Sequence, residues 1–200
     1  MIPKTMKKVA NYNRIYKRID VPKIKNFLPD DKIRYSSVKN YITNQNKNID
    51  YMNIRAGVIP YTKIDNKIFF AFGVDTIYGD LTDFGGGVQK ADRSVINGGI
   101  REFREESLGI FDPICDRDIY NHYVIYGKKI LVLLINYQVD PQAIIDNFKN
   151  KLLYIQTPEV KDVVWLSKEE IIDSLSGKGK RIYSRVRHLL KNSKELWYNL

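Results

Sequence analysis

The chain predicts an α/β sandwich, a mixed β-sheet lying between helices, and three observations carry that expectation. Two apolar runs, Ile54 to Tyr61 and Ile68 to Val74, flank the stretch Lys63-Ile64-Asp65-Asn66-Lys67. That is the signature of a hairpin with Asp65-Asn66 in its turn. The run Leu131-Val132-Leu133-Leu134-Ile135 is apolar throughout, as a strand covered on both faces would be. Between these, Ser94 to Leu108 sets Ile96, Ile100 and Phe103 at helical spacing, giving a helix with one buried face.

The remaining elements follow in order. Residues 1–50 lack a sustained period and contain Pro3, Pro22 and Pro29; they are expected to form a basic accessory segment with short helices, one of them at 36–45. Leu81 to Val88 is expected to be a short strand that runs into the glycine turn Gly85-Gly86-Gly87. Gly98 and Gly99 each cost a helix about 1 kcal/mol relative to alanine, so their presence in the 94–108 helix points to close packing against a strand. Tyr120 to Tyr126 and Lys129 to Tyr137 pair around Gly127-Lys128 as a second hairpin. Pro141 to Leu153 fits a helix with proline in its first turn. Val163 to Leu166 is a strand, and Ser167 with Glu170 three residues later forms a capping box for the helix that follows. Trp165 fits a core position better than a ligand contact. Arg181 to Leu190 is expected to be a last basic helix, with Ile182, Val186, Leu189 and Leu190 inward and Arg181, Arg185 and Arg187 outward. The expected organisation is an accessory segment at 1–50, a main domain at 51–175, and a basic C-terminal helix at 176–200 packed on that domain.

Composition narrows the classes. The 200 residues carry a net charge of +10, unevenly placed: +8 in residues 1–50, −4 in 51–175 and +6 in 176–200. An acidic middle between basic ends draws polyanions in a salt-dependent way. The abundance of Lys, Asn and Ile also matches an AT-rich genome, such as that of a large DNA virus or a protist, which weakens lysine counts as a sign of a partner. The single cysteine, Cys115, allows no internal disulfide and fits a reducing compartment; it suits a small buried apolar position better than a nucleophile. His122 and His188 stand far apart without cysteine partners, which argues against zinc. No apolar run approaches a membrane span, and Lys4, Lys7 and Lys8 lead into no hydrophobic stretch. The expectation is a soluble intracellular protein, cytoplasmic or nuclear, with no membrane partner.

The most informative segment is Arg101-Glu102-Phe103-Arg104-Glu105-Glu106. Glu102, Glu105 and Glu106 stand at i, i+3 and i+4 and project from one helix face. Three like charges so placed repel one another, and a hard divalent cation would cancel the repulsion and use their oxygens as ligands. A bare E-x-x-E-E is ordinarily a solvated face. Here Arg101 precedes it, Gly109 closes it, and a triple-glycine turn stands at a fixed distance upstream. The arrangement resembles the Nudix box, G-x5-E-x7-R-E-U-x-E-E-x-G-U with U a bulky aliphatic residue. With Gly87 as the first glycine, Arg101-Glu102, Phe103 and Glu105-Glu106 fall at the family spacing. Two departures stand out. The family's first glutamate, which helps to hold the arginine of the box, falls on Arg93, with Asp92 beside it as a substitute. Ser107-Leu108 also replaces a single residue before the closing glycine.

The run G-G-x-V-x-x-x-D-R-S with R-E-x-R-E-E after it resembles more narrowly the branch that contains the nuclear U8 snoRNA-decapping enzyme. Its members remove caps from RNA and hydrolyse inosine diphosphates. This likeness covers residues 85–106, whereas the looser Nudix pattern spans 54–175. Independently of it, Ser94 suits a helix N-cap.

The resemblance implies a pyrophosphohydrolase that uses Mg2+ or Mn2+. It makes Glu102, Glu105 and Glu106 the metal ligands, with a backbone carbonyl of the glycine turn, Gly86, completing the set. Glu105, Glu106 and Arg101 would be the catalytic residues of the box, Arg101 orienting a glutamate. Glu159, before the Val163–Leu166 strand, suits a general base or an extra ligand, against the plainer reading of an exposed loop carboxylate. Tyr61, Phe72 and Tyr78 lie on plausible pocket strands for stacking a nucleobase, and Arg181, Arg185 and Arg187 could hold an RNA chain. The leading expectation is an RNA 5′-decapping hydrolase that releases a capped nucleoside diphosphate and leaves 5′-monophosphate RNA. The alternatives are a small-molecule pyrophosphatase acting on (deoxy)inosine diphosphate, a dinucleotide or a diphosphoinositol polyphosphate, and a silent RNA-binding Nudix domain. The intact glutamate triad argues against the last.

Overall fold

A computed structural model describes residues 32–44, 53–114 and 118–199. Most of the basic N-terminal segment, with Lys4, Lys7 and Lys8, and also Cys115 lie outside the described residues. Within them one sheet holds eight strands: β1 (Arg34–Ser37), β2 (Arg55–Ile64), β3 (Lys67–Asp75), β4 (Leu81–Thr82), β5 (Phe84–Gly87), β6 (Tyr123–Tyr126), β7 (Ile130–Asn136) and β8 (Val160–Ser167). Six helices accompany it: α1 (Val38–Thr43), α2 (Val95–Glu106), α3 (Pro141–Leu152), α4 (Lys168–Ser176), α5 (Ser184–Asn192) and α6 (Lys194–Asn199). The strand order is β1-β6-β7-β2-β3-β4, with β5 also on β2 and β8 also on β3. β2 and β7 run parallel and the other pairs antiparallel. This is the mixed sheet between helices that the sequence predicts.

The hairpin of β2 and β3 turns at Asp65 and Asn66, whose φ values of 47° and 62° put both in the left-handed region. Two positive φ values in a two-residue loop match the right-handed twist of the flanking strands. β7 lies between two cores. Leu131, Leu133 and Ile135 join Ala56, Val58 and Ala71 under α2 and α3, with Ile96, Phe103, Ile144 and Phe148. Ile130, Val132 and Leu134 join Ile59, Phe70 and Phe72 under α4, α5 and α6, with Ile171, Val186, Leu189 and Leu196. Coverage on both faces explains why every position of the run is apolar. Trp165 packs on the first core with its ring 6.3 Å from Phe111, a core position as expected. No helix among the described residues is long and apolar enough to cross a membrane.

The helix ends follow local chemistry. Ser94 Oγ accepts the Asn97 N–H at 3.0 Å and starts α2. At the other end the extra residue of Ser107-Leu108 goes into the turn: Leu108 and Gly109 take φ values of 55° and 58°, and Gly109 N–H closes on the Arg104 carbonyl at 3.0 Å. The helix therefore stops at Glu106, short of the expected Leu108. Lys151 of α3 fastens this turn, its Nζ donating to the Leu108 and Gly109 carbonyls at 3.0 Å each. Ser167 and Glu170 form the expected capping box at the start of α4.

Two expectations are corrected. The predicted strand 81–88 is broken at Asp83, which is fully buried and separates β4 from β5. The basic helix expected at 181–190 is α5, which α6 follows, and it begins at Ser184, so Arg181 precedes it. Instead Ile182 bridges Leu81 in parallel: Leu81 N–H donates to the Arg181 carbonyl at 2.8 Å, and Tyr183 N–H donates to the Leu81 carbonyl at 2.7 Å. A two-residue strand leaves backbone groups unpaired, and this segment satisfies them.

Gly98 and Gly99 explain how close α2 comes to the sheet. A Cβ on Gly99 would stand 3.2 Å from Gly57 N and 3.3 Å from Ala56 Cβ, and one on Gly98 would stand 2.9 Å from Asp92 Oδ2. The close packing against a strand is therefore present at Gly99, whereas Gly98 packs on Val88 and Asp92 between β5 and the helix. Gly99→Val should push α2 off β2 and lower the unfolding free energy by about 1–3 kcal/mol. Urea melts of the two proteins check this, and an unchanged midpoint would mean that the helix is free to shift.

Candidate active site

The seat of α2 on β2 decides where its polar face goes. With Gly99 pressed against Ala56 and Gly57, the next turn of the helix lies over β5. Glu106 Oε2 accepts the Gly85 N–H at 2.7 Å. A Cβ at Gly86 would overlap the Glu102 carboxylate, so glycine alone leaves room for it there. Glu105, one turn along the same face, is exposed. The structure thus brings Glu102, Glu106 and Gly86 together and keeps Glu105 at the rim.

Arg101 ties this face to the glycine turn. Its Nε donates to Asp92 Oδ1 at 2.8 Å and its Nη2 to Asp92 Oδ2 at 3.2 Å, a two-point pair. Nη2 also donates to the Gly87 carbonyl at 3.0 Å, while Nη1 pairs with Glu102 Oε1 at 2.8 Å and Glu105 Oε2 at 3.1 Å. Asp92 thereby does what the Nudix pattern assigns to a glutamate one residue later. Arg93, which stands at that later position, adopts a left-handed φ of 63° as the exit of the short helical turn Lys90–Asp92. The hydrogen bonds from Arg101 hold the Asp92 carboxyl below its usual range, helped by the Gln89 N–H at 2.7 Å.

A second ion pair was not anticipated from sequence. Asp83, with no exposed surface, accepts from Arg55 Nη1 at 2.5 Å. Arg55 Nη2 donates to the Gly85 carbonyl at 2.7 Å and to Thr82 Oγ1 at 3.3 Å, and its guanidinium lies 5.6 Å from the ring centroid of Tyr183. Gly57 makes the space, since a Cβ there would overlap the Asp83 carboxylate. The signal was an aspartate in a short strand-like stretch, one residue before three glycines. A charge so placed needs a buried partner.

These carboxylates crowd one another. Burial pushes the Glu106 carboxyl up to about 8; the charges of Asp83 and Glu159 add to the rise, and Arg55 and the Gly85 N–H oppose it. Burial also raises Glu102, with Arg101 opposing and Glu105 and Glu159 adding. Glu159 itself is exposed at the entry to β8, and its charge reaches Glu102 and Glu106. Among the described residues no three His, Cys, Asp or Glu side chains are gathered closely enough to hold an ion.

Other expected site residues are placed elsewhere. Phe72 is 0% exposed and Tyr61 is 8% exposed, both in the core between the sheet and α4–α6. Tyr61 packs on Phe70 with ring centroids 5.9 Å apart. Neither ring offers a face to a nucleobase, which corrects that expectation; Tyr78 is exposed. The outward row of three arginines is corrected in part. Arg181 is exposed as expected, but it precedes the helix and pairs with Asp80 at 3.1 Å, whereas Arg187 Nη2 donates to the Leu175 carbonyl at 2.8 Å, joining α5 to the end of α4. Arg185 is exposed on α5, as expected.

No family model and no curated protein matches the chain. Solved structures resemble it distantly. A binary complex of Ap4A hydrolase from C. elegans superposes with a TM-score of 0.45 at 15% identity, covering 74% of this chain and 100% of that one. The NUDIX domain of Shewanella oneidensis NrtR, complexed with ADP ribose, gives a TM-score of 0.45 at 14% identity, covering 81% and 99%. Likeness of this degree carries no argument about chemistry, which rests on the residues themselves.

Replacing Asp92 by Asn should lower stability at pH 7 by roughly 1–3 kcal/mol, the scale of hydrogen bonds to a charged group. The sign of the pH effect follows from the lowered carboxyl. Its contribution is complete above the unfolded value of about 4 and disappears as pH falls through the lower folded value. Melts of wild type and Asp92→Asn should therefore differ at pH 7 and converge as pH falls below about 4. A constant gap would show that the pair adds nothing beyond its shape.

Proposed function

We propose that this chain is a divalent-cation-dependent pyrophosphohydrolase of the Nudix type, which cleaves a nucleoside diphosphate from the group linked to it. The observation that carries this reading is the convergence of Glu102 and Glu106 from α2 on the turn at Gly85 and Gly86; the charge of Glu159, at the entry to β8, adds to the rise of both carboxyls. The donor set suits Mg2+ or Mn2+. It consists of carboxylate oxygens, two of whose carboxyls are raised by burial and by their neighbours' charge, a crowding that a cation relieves. Glu102 and Glu106 would hold the ion with the Gly86 carbonyl, and Glu105, exposed and paired with Arg101, would have to draw in to join them. When bound, it supplies neutralisation of phosphate charge and acidification of an attacking water.

The chain's own residues do the rest. Glu159 is exposed and in electrostatic contact with both glutamates, a suitable place from which to take the proton of the water. Arg101, clamped by Asp92, holds Glu102 and Glu105 in register with the Gly87 carbonyl. The Arg55–Asp83 pair fixes the carbonyl of Gly85 from the other side. In this reading both arginines position the machinery and neither needs to touch substrate.

A nucleotide derivative small enough to fit beside these carboxylates is the substrate class the site supports directly. A second reading, 5′-capped RNA, is favoured by the charge distribution, +8 and +6 on either side of an acidic middle. Arg185, Lys178, Lys180 and Lys191 are exposed in the C-terminal basic region. Arg181 and Arg187, being tied to Asp80 and to Leu175, lend that reading less than the sequence alone suggested. Either substrate would place the protein's work in the cytoplasm or nucleus.

Glu105→Gln and Glu106→Gln should each lower turnover by about a hundredfold or more with the fold intact, since a lost ligand charge weakens both the ion and its activation of water. Glu159→Gln should slow turnover and alter its pH profile. Product release from cap-labelled RNA and from a panel of free nucleotides, with Mg2+ or Mn2+, measures both; near-normal rates at saturating metal would refute the site.

The same assay separates the substrates. If the basic end holds RNA, affinity should fall with salt at a log–log slope of about −0.7 per phosphate contact. Arg185→Ala should then raise the Michaelis constant for long capped RNA and leave a free cap dinucleotide unaffected. An equal effect on both, or on neither, favours the small substrate.

A further inference from the structure

Three hydrogen bonds hold the Arg55 guanidinium, and a ring from far along the chain lies against it. Nη1 donates to Asp83 Oδ2 at 2.5 Å, and Nη2 donates to the Gly85 carbonyl at 2.7 Å and to Thr82 Oγ1 at 3.3 Å. The guanidinium carbon stands over the ring of Tyr183, 5.6 Å from its centroid. A cation over an aromatic face is attracted by the quadrupole of the ring, more strongly where water is kept out. Water is largely kept out here, since the Arg55 side chain is 11% exposed and that of Asp83 0%.

The backbone of Tyr183 has a different task, and that task does not call for a tyrosine. Its N–H donates to the Leu81 carbonyl at 2.7 Å and its carbonyl accepts the Arg187 N–H at 2.8 Å, so it joins β4 to the first turn of α5. It is the N-cap of α5, yet its side chain makes no capping hydrogen bond. Serine, threonine, aspartate or asparagine ordinarily fills such a position, because the side-chain oxygen accepts a free helix N–H. The neighbouring Ile182 anchors the segment, buried with Val186 and Leu189 under α4, α5 and α6. Part of the Tyr183 ring packs on that core, a contact an aliphatic side chain could make as well. The π face over Arg55 is what an aromatic alone supplies.

What this face holds in place matters to the site. Arg55 fixes the Gly85 carbonyl while Glu106 accepts the Gly85 N–H at 2.7 Å. The turn on which Glu102 and Glu106 converge therefore depends on the orientation of one guanidinium. An arginine that swings away frees the Gly85 carbonyl and leaves the buried Asp83 carboxylate without its counter-charge, a costly state.

We propose that Tyr183 is a positioning residue of the active site: its ring holds the Arg55 guanidinium on Asp83 and Gly85, and so keeps the glycine turn in the shape that lets Glu102 and Glu106 hold a divalent cation. The proposal rests on the hydrolase reading above and extends the site to the C-terminal segment.

The test is Mn2+ binding, read from the electron paramagnetic resonance of the free ion, so that neither substrate nor turnover enters. Tyr183→Leu keeps an apolar side chain on the core and loses the π face, Tyr183→Ser loses the ring and gains a capping oxygen, and Tyr183→Phe keeps the face. The first two should each weaken Mn2+ binding about tenfold, the scale of one desolvated cation–π contact, while Tyr183→Phe stays at the wild-type affinity. Turnover should follow the same order at limiting metal and recover as metal saturates. Thermal melts establish that each variant is folded at the binding temperature. Tyr183→Leu keeps the half-buried position filled and carries the test should Tyr183→Ser not fold. Wild-type Mn2+ affinity in Tyr183→Leu, or an equal loss in Tyr183→Phe, would overturn the role of the ring face and leave the hydrolase reading standing. A wild-type protein that binds no Mn2+ would overturn both. The hydrolase reading is judged separately by the turnover of Glu106→Gln, so the two failures are told apart.

Discussion

The contact on which the rest depends is the approach of α2 to β2 at Gly99, Ala56 and Gly57. Two glycines in one helix sacrifice helical propensity, and what they obtain is proximity. Only with the helix axis this close can Glu106 reach the Gly85 N–H and Glu102 lie over Gly86. Gly57 contributes twice, taking Gly99 on one side and making room for the Asp83 carboxylate on the other. A side chain at Gly99 would press on Ala56 and Gly57 and move the helix from the turn, so that the carboxylates would no longer face it.

Around that contact two ion pairs divide the labour. Asp92 and Arg101 brace the outer side of the glycine turn, partly in solvent, through five polar contacts of one guanidinium. Arg55 and Asp83 brace the inner side with Asp83 fully buried. A buried pair is a poor source of net stability, because desolvation offsets most of its attraction. Its worth here is geometric, since the same guanidinium fixes the Gly85 carbonyl while Glu106 fixes the Gly85 N–H. Both polar groups of one residue are thus held, from opposite faces of the sheet.

Much of this was legible in the sequence, and the residues that were not share physical reasons. The α2 glutamates, the cap at Ser94, the capping box at Ser167 and the role of Asp92 beside Arg101 are local, set by spacing along one helix or turn. Tyr61 and Phe72 were misplaced because both faces of this part of the sheet are covered by helices. Where both parities are apolar, alternation gives no sign of which residue reaches a site. Arg187 was taken as solvent-facing because its partner, the Leu175 carbonyl, is an orphan helix-end group that no side-chain pattern reveals. The Arg55–Asp83 pair joins residues 28 positions apart, and nothing in a single sequence couples them.

The bridge of Arg181–Tyr183 to Leu81 bears on the order in which the molecule assembles. Every other strand of the sheet precedes this segment in the chain, so in synthesis it is the last β-partner to emerge. The contact spans about a hundred residues and carries a high loop-closure cost, so the nascent chain can pair β2, β3 and β5 well before it. Until then the backbone of Leu81 is open and the Arg55 guanidinium lacks the Tyr183 ring. Docking of the C-terminal segment is therefore a late, separable step, and a chain stalled before it would carry a formed glutamate face beside an exposed strand edge, the kind of edge that recruits other chains.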